Sequence, residues 1–272
     1  MSERRREATL GSVFDRAMHE QARVIVGWLA GLTAFCVMML SIYPTVRANE
    51  GFAKLINAYP EILRKLFQLS DYTTGAGYLR TEVFSFMAPL LIAIFAILWG
   101  SDQLAGEEER GTVDVFLANP VSRRRVVIEK WLALVTGTAM LAALLVVALG
   151  VLGPAFRLHV GWAPLASAVL GSYLFAVAVG TLALCVGAAT GSRGMARGVA
   201  TALAVAMYLV SSLSQIVSWL EPARPASLWY HALGVGLLSS GFHYWHLGLV
   251  VVVTVALLGA TVVLFDRRDL ST

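Results

Sequence analysis

Three groups of residues in this chain could do chemistry. The densest is the stretch 105–130, where Glu107, Glu108, Glu109 and Arg110 are followed by Asp114, then by Arg123, Arg124, Arg125, Glu129 and Lys130. Carboxylates and guanidinium groups at this density form charge-assisted hydrogen bonds with a charged partner. The second group is Ser211, Ser214, Gln215 and Ser218, spaced i, i+3, i+4 and i+7. On a helix these share one face, where they either hydrogen-bond a neighbouring helix or line a path for a polar solute. The third is His243 and His246, three residues apart, with His231 upstream. That spacing occurs among metal ligands. Tyr244 and Trp245 lie between them, however, and an aromatic belt with incidental histidines explains the same residues, so no metal is expected. Cys36 and Cys185 sit inside apolar runs and form neither a disulfide framework nor a metal pair.

The elements that position these groups are membrane helices. Hydrophobic residues make up 58% of the chain and charged residues 14%, and the mean hydropathy is +0.72. A soluble domain is much less apolar and more charged. Six runs, 24–43, 83–100, 131–153, 165–189, 199–219 and 244–265, come near the roughly 20 residues that a helix needs to cross a bilayer. A transmembrane barrel would show short alternating segments instead. The first run reads as a span and not as a cleaved leader, although Val46-Arg47-Ala48 is a passable cleavage site. Most of the 21 Lys and Arg fall in segment 1–23, in 101–130, at Arg193 and Arg197, and at Arg267 and Arg268. The positive-inside rule then puts both termini in the cytoplasm, and the net charge of +4 reads as topology rather than nucleic-acid binding.

Charge is absent from all six runs. Ion-coupled carriers keep an ionisable group at membrane depth, and no such group or inverted repeat is present. No Gly-x-x-x-x-Gly-Lys-Ser/Thr phosphate loop occurs either. Uphill movement of a solute would therefore draw its energy from another chain.

Between the spans, residues 8–23 read as an amphipathic helix. Leu10, Val13, Phe14, Ala17 and Met18 form one face, and Asp15, Arg16, His19, Glu20 and Arg23 much of the other. Such a helix lies in the membrane interface, as a simple anchor or as a lever beside a partner. The outer loop 44–82 reads as two amphipathic helices broken at Pro60, forming a lipid-lying cap or a lid. Residues 102–118 read as one charged helix that ends at Asn119-Pro120, with Ser122 capping the next. Arg123, Arg124 and Arg125 then sit at the membrane face, where anionic lipid alone would explain them. In 220–243, Pro222 and Pro225 break the helix, and the apolar run that follows reads as a re-entrant hairpin with Trp229 and Tyr230 at headgroup level. Gly27-x-x-x-Gly31 and Gly187-x-x-x-Gly191 are small-residue packing motifs.

Residues 105–130 resemble the ABC-2 type transporter permeases, the membrane subunits of ATP-binding-cassette exporters. The residues that carry the resemblance are Ala105 to Thr112, Pro120-Val121-Ser122-Arg123 and Lys130. The layout of interface helix, six spans and charged loop extends it over nearly the whole of 1–272, as one transmembrane domain. Tyr43-Pro44 and Gly77-Tyr78-Leu79 resemble a bacterial subgroup with an enlarged first outer loop. The resemblance implies that 102–118 is a coupling helix docked in a cleft of an ATPase subunit. Glu107, Glu108 and Arg110 would make charged contacts there, with Val113, Phe116 and Leu117 packed beneath. Gly111, beside Thr112, would allow close backbone approach, Pro120 would fix the exit angle, and Arg123 would tie the loop to the membrane face or the ATPase. It further implies two permeases and two ATPases in a bacterial cytoplasmic membrane, with ATP and Mg in the partner and no cofactor or catalytic residue here. A metal-handling membrane factor using the histidines, and a sensor or scaffold that borrows an ATPase but moves nothing, are the competing readings.

Overall fold

The computed structural model describes residues 13–49, 51, 54, 56, 58–60, 63–64, 69, 71–111, 122–234 and 242–268. Among them are six helices long and apolar enough to cross a bilayer: α1 (Val13–Ala48), α2 (Gly75–Glu109), α3 (Arg123–Phe156), α4 (Trp162–Thr190), α5 (Arg193–Leu213) and α6 (Tyr244–Arg267). The described residues contain no strand. Short polar caps start three of the helices. Thr74 accepts the Gly77 N–H at 3.0 Å, Ser122 the Arg125 N–H at 3.4 Å and Ser192 the Met195 N–H at 3.3 Å, each satisfying a backbone donor that the helix cannot.

The centre of the bundle is α4. It packs against α2, α3, α5 and α6, and 72% of its most apolar window is buried, against 17% for α5 and 22% for both α1 and α6. Hydrocarbon tails are as apolar as leucine, so close approach of small residues decides how such helices associate. The contact between α2 and α4 shows this directly. A Cβ on Gly100 would lie 2.2 Å from the Gly180 carbonyl oxygen, and one on Gly180 would lie 2.9 Å from the Ala96 Cβ. The sequence motifs point elsewhere, to Gly27 and Gly31, where a Cβ meets nothing within 4 Å. Gly191 of the other motif is instead the left-handed cap of α4, at φ +66°.

Two expected boundaries and the setting of one aromatic residue differ. The amphipathic segment and the first span are one uninterrupted helix of 36 residues, about 54 Å long against roughly 30 Å of hydrocarbon. No proline or paired glycine interrupts the chain between Val13 and Gly27, and α1 packs along α3, with Ala17 buried and Phe14 and Met18 against the core. The fifth span stops at Leu213, not 219, and a 3-10 segment Ser218–Ala226 carries Pro222 and Pro225. Finally, Trp229, expected at headgroup level, packs against protein. It is buried, with its ring 5.0 Å from Phe175 and 5.0 Å from Tyr208, so the chain after the 3-10 segment folds back onto α4 and α5.

The two stretches linked to an enlarged outer loop meet in space. The Tyr43 and Tyr78 rings are 5.1 Å apart, and the Tyr78 hydroxyl donates to the Met39 carbonyl at 2.8 Å. Tyr72 joins them and donates to Glu82 at 2.6 Å. Burial first, and then that hydrogen bond, raise the Tyr72 phenol above its ordinary pKa. Much of the outer loop, including Phe52, Leu55, Leu66 and Phe67, lies outside the described residues.

The candidate functional site is the charged end of the bundle

One end of the bundle gathers the charges that the spans exclude. Here α2 does not run on to residue 118. It ends at Glu109, and the chain turns through Arg110 and Gly111, whose N–H donates to the Glu108 carbonyl at 2.9 Å. Gly111 sits at φ +66° with open space where a Cβ would stand, a backbone conformation that favours glycine. This break places Glu107, Glu108 and Glu109 in the last turn of a helix, where the carbonyl dipoles already present negative charge. Three carboxylates in that position need cations, and each finds one on a different element.

Glu107 pairs with Lys130, which lies in α3 and is fully buried. The Lys130 ammonium also donates to the Gln103 carbonyl. Glu108 takes a bidentate pair from Arg268, just past α6, at 2.6 and 2.9 Å. Glu109 accepts the Arg193 backbone N–H at 2.8 Å and its Nε at 2.5 Å, at the start of α5. Asp102, one turn earlier, bridges Arg193 at 3.2 Å and Arg110 at 3.1 Å. Arg197 donates to the Ser101 hydroxyl at 3.0 Å. Gly106 keeps this space open, since a Cβ there would fall 2.3 Å from Asp102 Oδ1 and 3.1 Å from Arg193 Cδ.

The other leg of the loop enters α3 at Ser122. Arg123 donates to the carbonyls of Phe265 at 3.2 Å and Arg268 at 2.8 Å, a cation set at the C-terminal end of α6. Arg124 pairs with Asp266 at 2.8 Å. Arg125 pairs with Glu129 at 2.6 Å, and Glu129 also accepts the Phe14 N–H of α1 at 3.2 Å. These arginines therefore have partners within the chain and do not rest on anionic lipid alone.

The expected site is thus only partly assembled as the sequence suggested. Glu107, Glu108 and Arg110 point to partners on this same chain. Thr112, Val113, Phe116, Leu117 and Pro120 lie outside the described residues. Sequence reasoning missed Asp102, Arg193 and Arg268 as members of the cluster. A signal was present: each is a charge at the border of an apolar run, on the side the topology gives to the glutamates.

The other two groups resolve differently. Ser211 and Ser214 are buried, and the Ser214 hydroxyl donates to the Ser211 carbonyl at 3.0 Å. Gln215 and Ser218 are exposed, and the helix ends before them, so the four do not form one helical stripe. At the opposite end of the bundle, His231 Nδ1 and His246 Nδ1 are 2.7 Å apart, and His231 Nε2 lies 2.7 Å from the Pro225 carbonyl. A carbonyl only accepts, so His231 carries its proton on Nε2 and, in the neutral pair, accepts from His246 at Nδ1. The two rings meet each other directly, and no group of three metal ligands occurs among the described residues. Trp219, Tyr244 and Trp245 nearby are all more than three-quarters exposed, as an aromatic belt requires.

Comparison with curated proteins gives no match. A family model described as ABC-2 family transporter protein matches residues 20–270, which takes in α1 from residue 20, the other five helices whole and both legs of the charged loop. The chain, a multi-pass membrane protein, belongs to this ABC-2 transporter family as a permease subunit.

Proposed function

We propose that this permease works with a separate ATP-binding-cassette ATPase, in the cytoplasmic membrane of a bacterium, to export a solute by alternating access. The observation that supports the coupling most is the charged end of the bundle. Loop 112–121 leaves from and returns to a cluster that draws on α2, α3, α5 and α6. A load applied to that loop reaches four spans at once. The charged end faces the cytoplasm, in keeping with the excess of Lys and Arg there. ATP and Mg bind the ATPase, and ATP drives the change only by favouring one arrangement of the two membrane halves over the other. A second permease copy completes the unit. The apolar spans suit an amphipathic cargo better than a charged one.

The experiment is purification from native membranes in mild detergent, with identification of the chains that co-elute. The expected partner is a soluble chain with a phosphate-binding loop, lost when 112–121 is replaced by a Gly/Ser linker of equal length. Retention of that partner by the linker variant would rule out this loop as the docking element.

A further inference from the structure

Both legs of the charged loop are fastened to the same short segment, the end of α6. From the α2 leg, Glu108 holds Arg268 through two hydrogen bonds, at 2.6 and 2.9 Å. From the α3 leg, Arg123 donates to the carbonyls of Phe265 and Arg268, and Arg124 pairs with Asp266. Arg268 also lies 3.4 Å from the Ala188 carbonyl, in the last turn of α4. Space for this pair is left by the end of that helix. A Cβ on Gly191 would stand 2.2 Å from Arg268 Nη2 and 2.7 Å from Glu108 Oε2. The separation in sequence is 160 residues for Glu108–Arg268 and 145 for Arg123–Arg268, so nothing local imposes these contacts.

We propose that Phe265–Arg268 is a clamp that holds both legs of the coupling loop in register, with Glu108, Arg123 and Arg268 as positioning residues that do not touch the ATPase. The proposal rests on the reading of 112–121 as the docking loop. It assigns Glu108 a partner on this chain in place of one across the subunit interface. It also makes α6 a span that moves with the loop, because its end is bonded to both legs.

The test is a charge-swap cycle on the full chain: Arg268→Glu, Glu108→Arg and the double variant, with Arg268→Gln as a milder control should a reversal fail to fold. Two readouts are taken. The first is the ATPase recovered per permease from native membranes. The second is the rate at which thermolysin cuts within 112–121 of the purified permease, which needs no ATPase. Each single reversal is expected to reduce ATPase recovery about tenfold, within the range for directly contacting pairs, and to speed cleavage. The double variant is expected to restore both. Single variants that behave as wild type, or a double variant no better than either single one, overturn the clamp. A rescue of cleavage without any ATPase bound to the wild type would sustain the clamp and refute the docking reading, so the two fail separately.

Discussion

Two triplets of titratable residues mark the two ends of this protein, and they are built in opposite ways. Glu107, Glu108 and Glu109 are consecutive, yet each reaches a cation on a different element: Lys130, Arg268 and Arg193. His231, His243 and His246 are scattered, yet the first and last bond to each other, and His231 closes back on Pro225. The glutamates connect spans, whereas the histidines tie a fold-back segment to the top of one helix. A cluster's reach across the fold, more than its residue types, separates a hub that can transmit movement from a local fastening.

The comparison breaks most easily at Lys130. Removing one partner of a buried ion pair leaves the other charge uncompensated and costs about 3–5 kcal/mol. Lys130→Ala is expected to lower the unfolding midpoint in detergent more than any other single change at this end. Glu107→Leu with Lys130→Met removes both charges and is expected to recover most of that loss. If Lys130→Ala unfolds like the wild type, the pair carries no weight and the hub description fails.

A smaller effect is expected at the histidines. His231 is buried and makes two hydrogen bonds, so His231→Ala is expected to cost about 1–3 kcal/mol. It should leave ATPase capture unchanged. Added zinc should not raise the wild-type midpoint, because a ligand that bound only the folded state would stabilise it by mass action. A zinc-dependent rise lost in His231→Ala would return the metal reading.

The difference between the ends also explains what was legible beforehand. The spans were readable because a bilayer imposes length and apolarity on each helix by itself. Ser122 was readable as a cap because capping is local. Tyr43 and Tyr78 were singled out as sequence marks, but that they touch could not be read from either segment. Where Glu107–Glu109 find their cations depends on four helices converging, and a single sequence does not show which border charge meets which. The helix expected over 102–118 failed on one residue. Gly111 takes a left-handed φ, which leaves Glu107–Glu109 in the last turn of α2 and not inside a longer helix. The close contact at Gly100 and Gly180 was hidden for a similar reason. In a chain with 24 glycines, spacing alone cannot tell which of them face another backbone.

The smallest expected effect sharpens the comparison within the charged end itself. Arg123 and Arg124 are neighbours, and both meet the end of α6. Arg124 is 74% exposed and pairs with a single carboxylate, Asp266. A pair of that kind contributes at most about 1 kcal/mol and weakens with salt. Arg123 donates to the backbone carbonyls of Phe265 and Arg268, at the helix end where carbonyls lose their intrahelical partners. Arg124→Ala is therefore expected to shift the unfolding midpoint little, and not at all in high salt. Arg123→Ala should give a larger shift that high salt does not erase. Equal, salt-sensitive effects at the two positions would mean that general attraction between charges, and not the specific bonds to the end of α6, holds the second leg of the loop in place.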